Sequence, residues 1–173
     1  MTEQLPEAER GPRRVYANDA IEVSWEPKLC IHARNCVRGL PLGFDPQRRP
    51  WIDVDAAQAD EIADVIRTCP TGALHFRRLD GGVQEEPQDD TTVEPQPNGP
   101  LFVRGRIKIV DGEGRLISED TRVALCRCGA SENQPFCDGS HKRIGFGTHE
   151  GAAEPADTVD KAGMAPARTG VDR

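Results

Sequence analysis

Aromatic residues are scarce in this 173-residue chain, at 5%, and hydrophobic residues of all kinds make up only 36%. Any core is therefore thin, of the kind that small domains staple with a metal or disulfides. Long apolar runs are missing as well. No stretch approaches the roughly 20 residues that a spanning helix needs, and the opening MTEQLPEAERGPRRVY lacks the apolar segment of a secretory signal. A cytoplasmic protein without a membrane partner is expected, with its thiols kept reduced. Net positive charge is absent too. A formal charge of -7 argues against a nucleic-acid partner held by phosphate neutralisation, and the pairs Arg48-Arg49 and Lys142-Arg143 are too short to reverse that. Neither the glycines at 111–115 nor those at 145–147 form a G-x-G-x-x-G run opening a helix, so no flavin or nicotinamide fingerprint is present. No Ser-His-Asp or paired-carboxylate arrangement stands out either, and the chain is not expected to be an enzyme.

What the sequence does have is cysteine. Six occur, at 30, 36, 69, 126, 128 and 137, in two sets of three. An even count would suit three disulfides in a secreted chain, but nothing else supports secretion. The run CRCGASENQPFCDGSH, from 126 to 141, gathers three cysteines and one histidine. Its spacing, C-x-C-x8-C-x3-H, misses the C-x2-C knuckles and H-x3-5-H helices of zinc sites. It fits an iron-sulfur cluster better, with a zinc knuckle and a disulfide-stapled loop as the alternatives. Pro135 and the Asp138-Gly139 turn would fold Cys137 and His141 back towards Cys126 and Cys128.

Cys126, Cys128, Ser131, Pro135, Cys137, Asp138, Gly139, Ser140 and His141 reproduce, without gaps, the signature of the CDGSH iron-sulfur domain family, to which mitoNEET belongs. The resemblance implies a 2Fe-2S cluster held by Cys126, Cys128, Cys137 and His141, one iron taking two cysteines and the other a cysteine and a histidine. A neutral imidazole in place of a thiolate raises the reduction potential. The resemblance also suggests a homodimer through this domain, although an extra cluster domain and the lack of an anchor set this chain apart from mitoNEET-like proteins.

The other three cysteines follow a second pattern. Cys30-x5-Cys36, with Cys69-Pro70 further on, resembles a bacterial ferredoxin site whose middle cysteine is replaced, its place falling on Ala33. The segment is similar both to the divergent single-cluster ferredoxin domain, assigned to 4Fe-4S, and to three-cysteine ferredoxins that carry 3Fe-4S. The first is closer, because the likeness extends through CVRGLP, RRPWI and CPTGAL. Three thiolates complete a 3Fe-4S cluster, whereas 4Fe-4S needs a fourth donor, for which His32 is the nearest candidate. Buried structural thiols and a surface histidine are the plainer alternatives.

The expected fold is α+β: a ferredoxin-like cluster domain over 14–80, an acidic, Pro-rich linker over 81–99, a mostly-β CDGSH domain over 100–148, and a disordered tail over 149–173. The first residues, to about 13, are expected to be loosely ordered. IEVSW at 21–25 alternates as a strand. Asp53 and Asp55 are candidate caps for a helix whose buried face runs through Ala59, Ile62, Val65, Ile66 and Cys69, ended by Pro70, with a strand over 73–77 after it. In the second domain, short strands are expected over 101–103, 106–110, 115–117 and 123–125, with a hairpin turn at 111–114. Trp25 and Trp51 suit packing better than cluster shielding. Lys142 and Arg143 form either a solvated pair or a charge partner for a reduced cluster, Asp138 a turn cap; His75 and His149 carry no assigned role. These features point to single-electron transfer between redox partner proteins, with a cluster donor or store for apo iron-sulfur proteins, or a redox and pH sensor, as the alternative class.

Overall fold

The computed structural model describes residues 12–148. His149 and the tail expected over 149–173 lie outside the described residues. The architecture is α+β, built from two three-stranded antiparallel sheets with short helices. No helix among the described residues is long and apolar enough to cross a membrane.

The first sheet contains β1 (Arg14–Ala17), β2 (Ile21–Trp25) and β3 (Leu74–Arg78), with β2 in the middle. Ile21 and Val23 point inward along β2 and are fully buried, as the alternating pattern requires. Between β2 and β3 lie a short helix, α1 (Asn35–Gly39), and a longer one, α2 (Ala59–Arg67). Ile62, Ala63 and Ile66 of α2 pack with Phe44, Ile52, Leu74 and Phe76 into the main core. The cap differs from the expected one. Gln58 and Glu61 close a reciprocal capping box at the start of α2, whereas Asp53 accepts the backbone N–H of Asp55 in a local turn of its own. An Asx turn competes with helix for the same carboxylate, so two early aspartates mislead about the boundary.

The second sheet contains β4 (Thr92–Pro95), β5 (Leu101–Val110) and β6 (Leu116–Leu125), with β5 in the middle. Four short strands were expected where two long ones occur. One of the two expected gaps fell at Gly105, where the ladder shifts register between Arg104 and Ile107 and then resumes. A glycine with φ of +131° accommodates that bulge, and a Cβ there would sit 2.6 Å from the Thr91 hydroxyl. The stretch expected to be a linker does more than span. It supplies β4, and it supplies Glu85.

Glu85 sits at the centre of a polar cluster that joins the two sheets. One carboxylate oxygen takes the Phe76 backbone N–H at 3.1 Å and lies 3.1 Å from His75 Nδ1; the other accepts the Arg122 guanidinium and the Thr121 hydroxyl. His75 Nε2 in turn lies 3.3 Å from Asp120. Arg122 also donates to the backbone carbonyls of Ile66, at 3.2 Å, and Leu74. Gly72, with φ of +69°, passes so close that a Cβ would stand 2.5 Å from the Arg122 carbonyl. The two halves are thus docked, with α2 and β3 of the first against β6 of the second.

This cluster makes a pH prediction. Burial opposes charge on His75, but hydrogen bonds to Asp120 and Glu85, together with their charges, outweigh it and raise its pKa to about 9. The folded value therefore exceeds the ordinary 6.5, so the stabilisation is fully present below about pH 6.5 and is lost as pH rises through about 9. Urea midpoints measured across that window should fall more steeply for the parent chain than for His75→Gln. Parallel curves would show that the imidazolium contributes nothing.

Candidate metal centres

The second half of the chain folds its four candidate ligands together by a short backbone return. After β6, the Cys126 N–H donates to the Pro135 carbonyl at 2.9 Å and the Cys137 N–H to the Ala124 carbonyl at 2.8 Å. Leu125 and Phe136 form a β-bridge between these bonds. The loop in between is held by Ser131, whose hydroxyl donates to the Phe136 carbonyl at 2.6 Å and accepts the Asn133 N–H at 3.1 Å. Asp138 caps the turn as expected. Its carboxylate accepts the N–H groups of Ser140, at 2.9 Å, and Glu132, at 3.1 Å. Its pKa falls accordingly, the Ser140 hydrogen bonding being the main cause. Gly139, at φ of +88°, then starts α3 (Ser140–Arg143), which presents His141.

The ligands come as two pairs. Cys126 and Cys128 Sγ lie 3.8 Å apart, and Cys137 Sγ lies 3.3 Å from His141 Nδ1. Among the described residues no three His, Cys, Asp or Glu side chains converge as a single ion would require. Paired in this way, the four side chains could together hold an iron-containing group. The environment acts unequally on the ligand forms. Burial opposes ionisation of Cys126, but backbone N–H groups of Ser131 and Gly129 outweigh it and lower its pKa. Burial raises that of Cys137, helped by repulsion from Cys126, although the Gly139 N–H reaches its sulfur at 3.4 Å. Burial, with the neighbouring Lys142, lowers that of His141, which keeps the imidazole in the neutral form a metal binds.

In the first half, Cys30, Cys36 and Cys69 line one cleft together with Pro70, Thr71 and Leu74. Cys30 follows a 3-10 turn (Pro27–Leu29), Cys36 lies in α1, and Cys69 sits two residues beyond α2. Burial raises the pKa of Cys36 to about 11 and also raises that of Cys30, and in both Cys69 adds repulsion. Burial of this kind, which opposes the thiolate at Cys30 and Cys36, is what a cationic iron core would compensate. His32 is placed elsewhere. Its side chain is exposed and does not line the cleft; its backbone N–H, by contrast, acts on Cys30 and favours the thiolate. Its positive φ of 56° turns the side chain outward, a conformation that spacing alone does not reveal.

Trp25 and Trp51 pack edge to face with centroids 4.8 Å apart against the main core. The Trp25 indole N–H, buried without a partner in ordinary hydrogen-bond geometry, also favours the Cys30 thiolate. Lys142 and Arg143 are exposed, and Arg143 bonds the Ser140 hydroxyl at 2.7 Å. Sequence reasoning assigned nothing to His75, Glu85, Asp120 or Arg122, and no local pattern marks them, because the bonds of His75 to Asp120 and of Glu85 to Arg122 join segments far apart in sequence.

Comparison with known proteins separates the same two regions. Residues 16–79 match the family described as divergent 4Fe-4S mono-cluster, and residues 98–142 match the one described as iron-binding zinc finger, CDGSH type. A protein of Escherichia coli strain K12, named "Uncharacterized protein YjdI", is 40% identical over 67 residues, covering 39% of this chain and 88% of the relative. Its counterpart in Escherichia coli O157:H7 matches with the same figures.

Proposed function

Because the chain belongs to the divergent 4Fe-4S mono-cluster family in its first half and to the CDGSH iron-binding family in its second, we propose that it transfers single electrons between partner proteins. Cys126, Cys128, Cys137 and His141 hold a 2Fe-2S cluster, and Cys30, Cys36 and Cys69 hold a 4Fe-4S or 3Fe-4S cluster. Bound there, such clusters supply reversible one-electron chemistry at potentials set by ligand charge, hydrogen bonding and exposure. The observation that carries the reading is the paired geometry of the four second-half ligands. The chain's own part is to hold those ligands, keep His141 neutral and limit water around Cys137 and Cys69, which are both buried.

Partner choice follows from charge. Residues 27–44, which carry Cys30 and Cys36, contain Lys28, Arg34 and Arg38 and no acidic residue, in a chain whose net charge is -7. All three cations are exposed. An acidic electron carrier would be steered to this face.

The full chain, purified anaerobically, is expected to contain iron and acid-labile sulfide and to give two paramagnetic resonance signals across a dithionite titration. Cys69→Ser should remove the first-half signal and leave the second; Cys137→Ser should do the reverse. Signals that survive both substitutions would place the iron elsewhere and end this reading. A second reading, cluster donation or acid sensing, is favoured by one observation: a histidine closes the second ligand pair, at a position 7% exposed.

A further inference from the structure

The loop bearing Cys30 and Cys36 does not stop at its own cleft. Ile31 is buried against Ala124 and Cys137 of the second half, with Ala33 and Phe102 packed beside them. The contact is dry, since Ile31 is 8% exposed, Ala124 2% and Cys137 3%. It is also shaped on purpose by the backbone. His32 and Arg34 adopt left-handed φ values of 56° and 65°, so that Ile31 and Ala33 face the second half while His32 and Arg34 face water. Such conformations in residues other than glycine cost on the order of 1 kcal/mol each and persist where the surroundings over-determine them. The return side is fastened too. Asn133, from the loop between Cys128 and Cys137, donates to the Lys28 carbonyl at 3.1 Å, two residues before Cys30.

We propose that Ile31 is a junction between the two centres, through which one electron passes within the chain. The inference rests on the two-cluster reading given above. Ile31 is the covalent neighbour of Cys30 and shares one buried apolar cluster with Ala124 and Cys137, so one residue and a short run of packed side chains join a ligand of each centre. In the step, one centre is oxidised by one electron and the other is reduced by one. No bond forms or breaks, and no proton is required at the junction. The electron enters from a one-electron donor protein at one centre and leaves to a one-electron acceptor protein at the other. The chain would then be a two-station relay rather than two independent carriers on one polypeptide.

Paramagnetic resonance on the dithionite-reduced full chain, with iron and sulfide counted on the same sample, tests this without any partner or turnover. The expected result is that each reduced signal is split or broadened by the other. Ile31→Val should keep the splitting. Ile31→Asp, which forces a carboxylate into the dry contact, should slow electron redistribution between the centres after a sub-stoichiometric pulse of reductant, with the iron count unchanged. If Ile31→Asp loses iron, Ile31→Ala serves in its place, read by the loss of the fast phase in electron redistribution after a sub-stoichiometric pulse of reductant. Two unsplit signals from a fully loaded parent chain would overturn the junction and leave the two-cluster reading standing. A chain that binds iron in only one half would overturn both.

Discussion

Arg122→Ala should destabilise the folded chain by about 3 to 5 kcal/mol, the range for removing one partner from a buried ion pair. The side chains involved are only 4% exposed for Arg122 and 8% for Glu85. Burial opposes ionisation of Glu85, yet hydrogen bonds and charge from His75 and Arg122 together hold its pKa down to about 2. Without Arg122 the carboxylate keeps His75 but loses its other cation, and the Ile66 and Leu74 carbonyls lose a shared donor. Against a total stability of roughly 5 to 15 kcal/mol, such a loss is decisive. Urea denaturation measured by far-ultraviolet circular dichroism should show a lower midpoint and, because these bonds tie the two halves, a broadened or two-step transition. Arg122→Lys should recover only part of the loss, since one ammonium cannot serve a carboxylate and two carbonyls in the planar geometry of a guanidinium. An Arg122→Ala midpoint within error of the parent would mean that the polar cluster is not what docks the halves.

His141→Cys should change both the potential and the acid lability of the second centre. A fourth thiolate adds negative charge, so the reduction potential should drop by on the order of 100 mV or more, in keeping with the gap between histidine-containing and all-cysteine two-iron centres. The imidazole also admits a competitor. A proton and a metal ion bind the same lone pair, so acid displaces the ligand as pH falls below the ordinary histidine value of about 6.5. Burial and Lys142 lower the imidazole's own affinity for that proton, which delays the loss to more acidic conditions. Visible absorbance of the parent should therefore decay faster at mildly acidic pH than that of the variant. Equal decay in both would remove acid-driven release from consideration. Transfer of the cluster to an apo-ferredoxin, compared with reduction through a ferredoxin reductase, then separates a donor from a carrier.

The candidate ligands stood out in the sequence because metal sites reuse local spacing. Cys126, Cys128, Cys137 and His141 fall within one short loop and one helical turn, and the structure pairs them as the motif implies. The β2 strand was legible for a similar reason, its alternation being strict over five residues. Where the reading erred, a short-range signal had a competitor. Asp53 looked like a cap but serves an Asx turn, and Gly105 looked like a strand end but is a bulge; His32, a candidate fourth donor beside the plainer alternative of a surface histidine, has an exposed side chain. The Pro-rich, acidic stretch of 81–99 read as a linker that leaves the two domains able to pack together. Its composition could not reveal that Glu85 finds Arg122, because the two are separated by 37 positions.

By itself, then, the sequence pointed to an iron-sulfur domain in each half, on small α+β units, and to two groups of candidate ligands. Side-chain type and local spacing suffice for that, since each ligand set is assembled mainly from neighbours along the chain. Only the tertiary structure decided how the two groups face each other. The packing of Ile31 with Ala124 and Cys137 and the Glu85, His75, Asp120 and Arg122 cluster depend on docking between segments far apart in sequence, whose burial and charge compensation exist only once both halves are folded.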